Sequence, residues 1–426
     1  MIKINRKLTI GTIEKIAILL FIVFFYSVNA FWGYKLFYQD TVPIIICLSI
    51  TALLLFTVFR SRKMVPKNVF FSILAIYSLI VISSGFSFKY ILYYGVCILI
   101  CILVPRISQH GSILKIFYYA GIFFAIGTIF NYLFKELHSD LIMPFFSGTA
   151  TYDRREMASL SGINCPGFTS QVAINAGFLS YGIGYFFSMY SVQKNKNKRN
   201  WLCLILLFAA IILANKRAHL IFTVIALMIL YYISGSPGKK LKRFLTIIFA
   251  CGGLIMILYL CAMYIDLPVF NKLQRTILDI FSGDDITSGR TDLYARAIQL
   301  FHTHPLFGIG WYRFYEITIN SYGYNIAVHN IYLQILCETG IVGFLIFVFF
   351  FGFTWTIGYK ICKIARTNNE KILARFCFFM QNFFLLYGIT GNPLYDIPYY
   401  YPYFLICSFT FSTYYQLKNK ISNNVV

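Results

Sequence analysis

Charge is scarce in this sequence. Asp, Glu, Lys and Arg make up 12% of its 426 residues, where a soluble domain carries roughly 25%. So little charge cannot cover a globular surface. Acids are scarcer still, with 15 Asp and Glu beside 37 Lys and Arg. The short alternating apolar and polar segments of a membrane β-barrel are missing. A disulfide framework is missing too, because the 11 cysteines lie mostly inside apolar runs, as at Cys97, Cys203, Cys251 and Cys407. Cys97 and Cys101 stand one helical turn apart, but nothing else makes them a metal site. No internal repeat, low-complexity tract or flexible linker interrupts the chain. No small-residue cleavage site follows Lys3, Arg6 and Lys7, so the first apolar run is expected to be retained.

What is present is apolar: 59% of the residues are hydrophobic and mean hydropathy is +0.70. Repeated apolar runs of helix-spanning length predict an all-α polytopic membrane protein, since lipid tolerates only elements that satisfy their own backbone hydrogen bonds. About twelve spans are expected, near 13–31, 42–59, 69–86, 90–104, 113–134, 171–190, 201–214, 218–234, 244–265, 331–353, 376–390 and 399–415.

The net charge of +22 would suit a nucleic-acid partner, but its distribution argues for membrane topology instead. With the N-terminus inside, basic clusters at 3–15, 60–67, 106–115, 194–199, 239–243, 360–375 and 418–420 all fall on the cytoplasmic side, and only Glu14 and Glu370 of the acids join them. That is the positive-inside bias. It predicts a multi-pass plasma-membrane (inner-membrane) protein with both termini cytoplasmic. The chain then reads as one integrated domain: a bundle over 1–265, an extracytoplasmic loop over 266–330 before the tenth span, and the last three spans over 331–426.

Polar vocabulary concentrates in that loop. A stretch over 268–281 has Phe270, Leu273, Ile277 and Phe281 on one helical face, as an interfacial helix would. After a turn at Ser282-Gly283-Asp284-Asp285, a second helix is expected from about Thr291, capped by Ser288 or Thr291 and running through Leu293, Ala297 and Leu300. Arg290 then sits at a helix N-terminus, a favourable place for an anionic group such as a diphosphate. A salt bridge to Asp284, Asp285 or Asp292 is the plainer alternative. Lys216 and Arg217 occupy a tight outer turn, against the positive-inside trend. An anion would explain them, as would lipid-headgroup snorkelling. An even number of spans separates Arg217 from Arg290, so both face the compartment of His329. His329 opens the tenth span, and Asn330, Gln334 and Glu338 follow at intervals of four on one helix face. Polar groups at such depth face a cavity or the bundle interior. A helix-end histidine can equally be a cap. His302 and His304 lack a third ligand, so a structural turn is expected there, with no metal. Gly340 and Gly343 suit close helix packing.

Arg290, Ala297, the run His304-Pro305-Leu306-Phe307-Gly308-Ile309-Gly310-Trp311, then His329-Asn330 with Leu333-Gln334, Glu338 and Gly340, together resemble the signature region of the O-antigen ligase and polymerase family. The resemblance is close over about 288–343, within a related region of about 200–350. The Arg154-Arg155 stretch with Gly162 and Pro166 resembles a weaker family pattern and makes Arg155 a possible substrate contact, alongside Asn330, Gln334 and Glu338. The resemblance implies a class C glycosyltransferase-like fold of roughly twelve spans. It implies transfer of glycan from a polyprenyl-diphosphate-linked oligosaccharide to an acceptor hydroxyl at the outer face, with no cofactor, metal or nucleotide sugar. It assigns diphosphate binding to Arg217 and Arg290 and catalysis to His329. A small hydroxyl residue often precedes the first arginine in the family; Lys216 stands there here and becomes a second candidate cation. Arginine clamps suit a developing diphosphate charge, and a histidine near pKa 6.5 suits proton removal from the acceptor.

Two activities share the signature: polymerisation of repeat units, and ligation of finished glycan to a lipid or protein acceptor. Richness in Lys, Asn, Ile, Phe and Tyr hints at a low-GC bacterium and favours the polymerase. A flippase for lipid-linked sugar would place its charges near mid-membrane and show repeat symmetry, whereas these cations cluster at the rim.

Overall fold

The computed structural model describes residues 10–38, 41–61, 66–102, 108–147, 160, 164–193, 198–235, 238, 240–264, 290–323 and 326–423. The expected interfacial helix over 268–281, its following turn, Ser288, Arg154, Arg155 and Gly162 lie outside these residues.

Long helices dominate: α1 (Ile10–Ser27), α2 (Thr41–Ser61), α3 (Lys67–Ser83), α4 (Phe88–Ile102), α5 (Lys115–Leu133), α6 (Val172–Tyr190), α7 (Lys198–Leu213), α8 (Arg217–Ile233) and α9 (Lys240–Tyr264) precede the loop. Two shorter helices, α10 (Thr291–Thr303) and α11 (Arg313–Tyr322), belong to it. Then come α12 (Ile331–Ile364), α13 (Asn368–Tyr387) and α14 (Ile397–Asn423). Leaving out α10 and α11, the helices overlap the apolar stretches read from the sequence, with most ends within a few residues and α12, α13 and α14 extending 8 to 11 residues beyond the expected 331–353, 376–390 and 399–415 at one end. Those over 111–133, 172–190 and 331–364 are long and apolar enough to cross a membrane, and the apolar helices over 41–57, 69–83, 88–102, 201–213 and 217–233 are shorter.

The helices carry their large apolar side chains outward as well as inward. Phe71, Leu202, Phe249 and Phe349 are all more than 60% exposed. A water-soluble fold hides such residues, and a membrane protein offers them to lipid tails. Inside, α6 is the most enclosed helix and packs against α5, α7, α8 and α13. The α5–α6 crossing is close because two glycines meet: a Cβ on Gly121 would stand 2.7 Å from the Gly182 Cα. Aromatic stacking fills the space between α13 and α14, with Phe384 and Tyr403 ring centroids 3.8 Å apart.

Backbone hydrogen bonds tie the connections together at one end of the bundle. Ser170 N donates to Asn29 O (2.7 Å), Trp311 N to Ser83 O (2.8 Å) and Ile331 N to Gly388 O (2.8 Å). This loop-bearing end holds the loop residues, His329 and the head of α12.

Candidate functional site

The loop is locked onto α12 through a break in that helix. Gly340 leaves helical geometry (φ 64°, ψ −171°), which frees carbonyls and N–H groups that an intact helix would pair internally. The segment Pro305–Gly310 takes them up. Ile309 N donates to Cys337 O (3.0 Å), Gly310 N to Glu338 O (2.8 Å), Ile341 N to Pro305 O (2.9 Å) and Val342 N to Leu306 O (3.3 Å). Backbone meets backbone here. A Cβ on Gly308 would collide with the Glu338 carbonyl, and one on Gly340 with the Leu306 carbonyl. Both glycines also hold positive φ. The glycine-rich run is therefore a docking strip, and Gly340 is a break rather than only a packing contact.

Glu338 is the polar hub beneath the strip. It is fully buried. Its Oε2 accepts from Tyr312 N (2.9 Å) and Tyr395 OH (2.6 Å), and its Oε1 from Phe314 N (3.3 Å) and Gln334 Nε2 (3.2 Å). Gln334, also fully buried, accepts at Oε1 from Val328 N (3.2 Å) and from Asn392 Nδ2. Asn330 caps α12, its Oδ1 accepting from Tyr332 N (3.0 Å) and Leu333 N (3.1 Å). Gln334 and Glu338 share one face, as the spacing predicts, and Asn330 stands just before the helix as its cap. That face looks into the protein, so these side chains hold the site's frame.

The frame fixes His329. Val328 is tied to Gln334, Asn330 caps the helix, and Ile331 is tied to Gly388. Between these anchors His329 adopts φ 59°, a left-handed conformation that is costly for a residue with a Cβ and persists where the surroundings over-determine it. The imidazole is half-buried. Burial lowers its pKa to about 4, with the charges of Arg290 and then Lys216 adding to the effect. Those contributions place the three side chains in one electrostatic neighbourhood.

Arg290 is the N-cap residue of α10 and has no capping side-chain bond. The N-cap position is thus not Thr291, which is the first helical residue. Leu293 and Ala297 bury against Phe314, Val328 and Cys337, as the periodicity predicts, and this small core fastens α10 over the head of α12. Arg290 Nη1 donates to Thr390 O (2.9 Å) in the turn between α13 and α14. Lys216 is the N-cap of α8 and Arg217 its first residue. Both are half-buried. His302 and His304 are exposed, with His304 Nδ1 2.9 Å from its neighbour's Thr303 Oγ1, a local turn contact.

Two residues escaped the sequence reading. His219, two positions after Arg217, is buried and pairs through Nε2 with Tyr399 OH (2.9 Å). Its ring lies 4.3 Å from that of Tyr387. The available signal was its place one helical step below the cation turn. Asp396 lies between Pro393 and Pro398 in the α13–α14 turn. Its side chain stands at the mouth of a cavity crowded by neighbouring groups, and the partial loss of water there pushes its carboxyl up to about 6. No hydrogen bond or ion pair reaches that carboxylate among the described residues. A lone acid in an aromatic, proline-flanked tract was the legible signal.

Residues 201–348, about a third of the chain, match the family model described as O-Antigen ligase. The match spans Lys216, Arg217, Arg290, His329, Gln334 and Glu338 and leaves out Asp396. No curated protein matches the chain.

Proposed function

We propose, taking the chain's membership of the O-antigen ligase family as premise, that it is a membrane glycosyltransferase whose donor is a polyprenyl-diphosphate-linked oligosaccharide and whose product is a polymer of repeat units at the outer face. One observation carries the reading: the Arg290 and Lys216 charges converge on a half-buried imidazole held in a left-handed backbone at the head of α12.

The chemistry follows from that cluster. The acceptor sugar hydroxyl gives its proton to the neutral His329 imidazole. Its oxygen forms the new bond to the donor anomeric carbon, and the bond from that carbon to the diphosphate oxygen breaks. The electron pair leaves with the diphosphate, whose growing charge falls to Arg290, Lys216 and Arg217. The diphosphate also prepares its own base. Without it, burial first and then the two cations hold His329 neutral but weakly basic. An anion lodged beside Arg290 and Lys216 offsets their field and raises imidazole basicity. Asn330, Gln334 and Glu338 act through the backbone around His329 and are positioning residues. The topology of about twelve spans with both termini cytoplasmic completes the proposal.

The test is His329→Ala in the native host, followed by chemical identification of what accumulates. Single lipid-linked repeat units are expected. Long lipid-linked polymer would instead assign the chain as a ligase moving finished glycan to a lipid or protein acceptor. Unchanged surface glycan would remove His329 from the chemistry.

A further inference from the structure

A second cavity opens at the same end of the bundle, away from the cation cluster. It measures about 350 Å³ and is lined by the segment after α1, parts of α2, α4 and α6, the loop and the start of α14, within the range of roughly 300–1,000 Å³ usual for small-molecule sites. Its walls are unusual for a space between membrane helices. Tyr34, Tyr90, Tyr93, Tyr312, Tyr395 and Tyr400 all contribute. Tyr90 and Tyr312 form a flat double layer, with ring centroids 4.4 Å apart and planes 11° from parallel. Polar groups stand at the rim. Gln171 precedes α6 without capping it, and its side-chain amide has no partner among the described residues. Asp396 also lines the cavity, with its carboxylate unpartnered.

This combination has a definite ligand chemistry. A lipid tail would need neither the carboxylate nor the amide. Lys89 and Asp396 both line the cavity and offset each other, so it carries no net charge to hold a phosphate. A sugar ring presents an apolar C–H face that packs on a tyrosine plane and an equator of hydroxyls that donate to a carboxylate and bond an amide. The cavity is also coupled to the cation cluster. Asp396 lies within electrostatic reach of Tyr312 and Tyr315 on the cavity side and of Tyr387 on the other, and Tyr387 is within reach of Arg290 as well. Tyr312 is placed by the Glu338 hub, which accepts its backbone N–H (2.9 Å) while Tyr312 sits at φ 68°. Thus the network that fixes His329 also builds this wall.

We propose that the tyrosine-lined cavity is a carbohydrate subsite for the acceptor glycan, with the Tyr90–Tyr312 pair as the platform under a sugar ring and Asp396 and Gln171 as its hydroxyl partners. The acceptor role rests on the transfer reading above; the sugar-binding chemistry rests on the cavity alone.

The test installs photo-reactive p-benzoylphenylalanine at exposed Lys89, on the cavity wall, in the full chain in its own host, and separately at Ile45, 61% exposed on the apolar flank. Adducts formed on irradiation are assayed for periodate-oxidisable sugar, the probe being the cell's own lipid-linked and surface glycan. Sugar-bearing adducts are expected at position 89 and not at 45. Tyr90→Ala and Asp396→Asn should each reduce them about ten-fold, and Tyr90→Trp should restore them. Adducts carrying only phospholipid, or sugar adducts that ignore both substitutions, would overturn the subsite. His329→Ala keeps the two claims apart: it is expected to stop transfer and leave the adducts in place. Unchanged surface glycan in that variant would defeat the transfer reading, while the adducts would still decide the subsite.

Discussion

His329 was legible as a residue and illegible as an environment. Its position at the start of an apolar span could be read directly. The left-handed backbone and the approach of Lys216 from more than a hundred residues away could not, because both arise from tertiary contacts. That environment gives a pH prediction. In the free enzyme His329 protonates only near pH 4, so kcat/KM should hold down to that region as far as this group is concerned. In the donor complex the diphosphate raises the imidazole pKa, so kcat should fall at a higher pH as acid protonates the base. Profiles of both parameters check this, and acid limbs that coincide would contradict it. A limb near 6 that disappears in Asp396→Asn belongs to Asp396, whose carboxyl is pushed up to about 6 by desolvation.

Among elements, α10 and α12 show where sequence patterns suffice and where they stop. The start of α10 near Thr291 and its buried Leu293–Ala297 stripe follow from helical periodicity. The length of α12 and its break at Gly340 do not, since a lone glycine in an apolar run reads equally as a packing contact. The run Pro305–Gly310 and Gly340 make sense only as partners across the break. Gly340→Ala should therefore strain a positive φ and drive a methyl group into the Leu306 carbonyl, with a loss of about 3 kcal/mol. Thermal unfolding in detergent measures it, and a melting temperature equal to the parent's would contradict the docking account. Glu338→Gln keeps the shape but turns one acceptor oxygen into a donor that faces N–H or O–H groups. A loss of about 1–3 kcal/mol is expected, with slower transfer through the displaced frame of His329.

For the whole molecule, the apolar stretches were legible because lipid leaves a chain little freedom in how it crosses. The convergence of Lys216, Arg290 and His329 was not, because it depends on how α8, α10 and α12 pack at one end. Topology is testable by itself. A cysteine at exposed Leu306 should react with a membrane-impermeant maleimide in intact cells, and one at Asn368 only after permeabilisation; the reverse pattern would invert the assignment. The central claim is that glycan leaves a lipid diphosphate at the His329–Arg290–Lys216 cluster. The purified chain in liposomes with its lipid-linked repeat unit tests it most directly, by following release of polyprenyl diphosphate. One diphosphate should appear for each glycosidic bond formed, and His329→Ala should abolish both together. Bond formation without diphosphate release, or release at the parent rate in His329→Ala, would contradict the account.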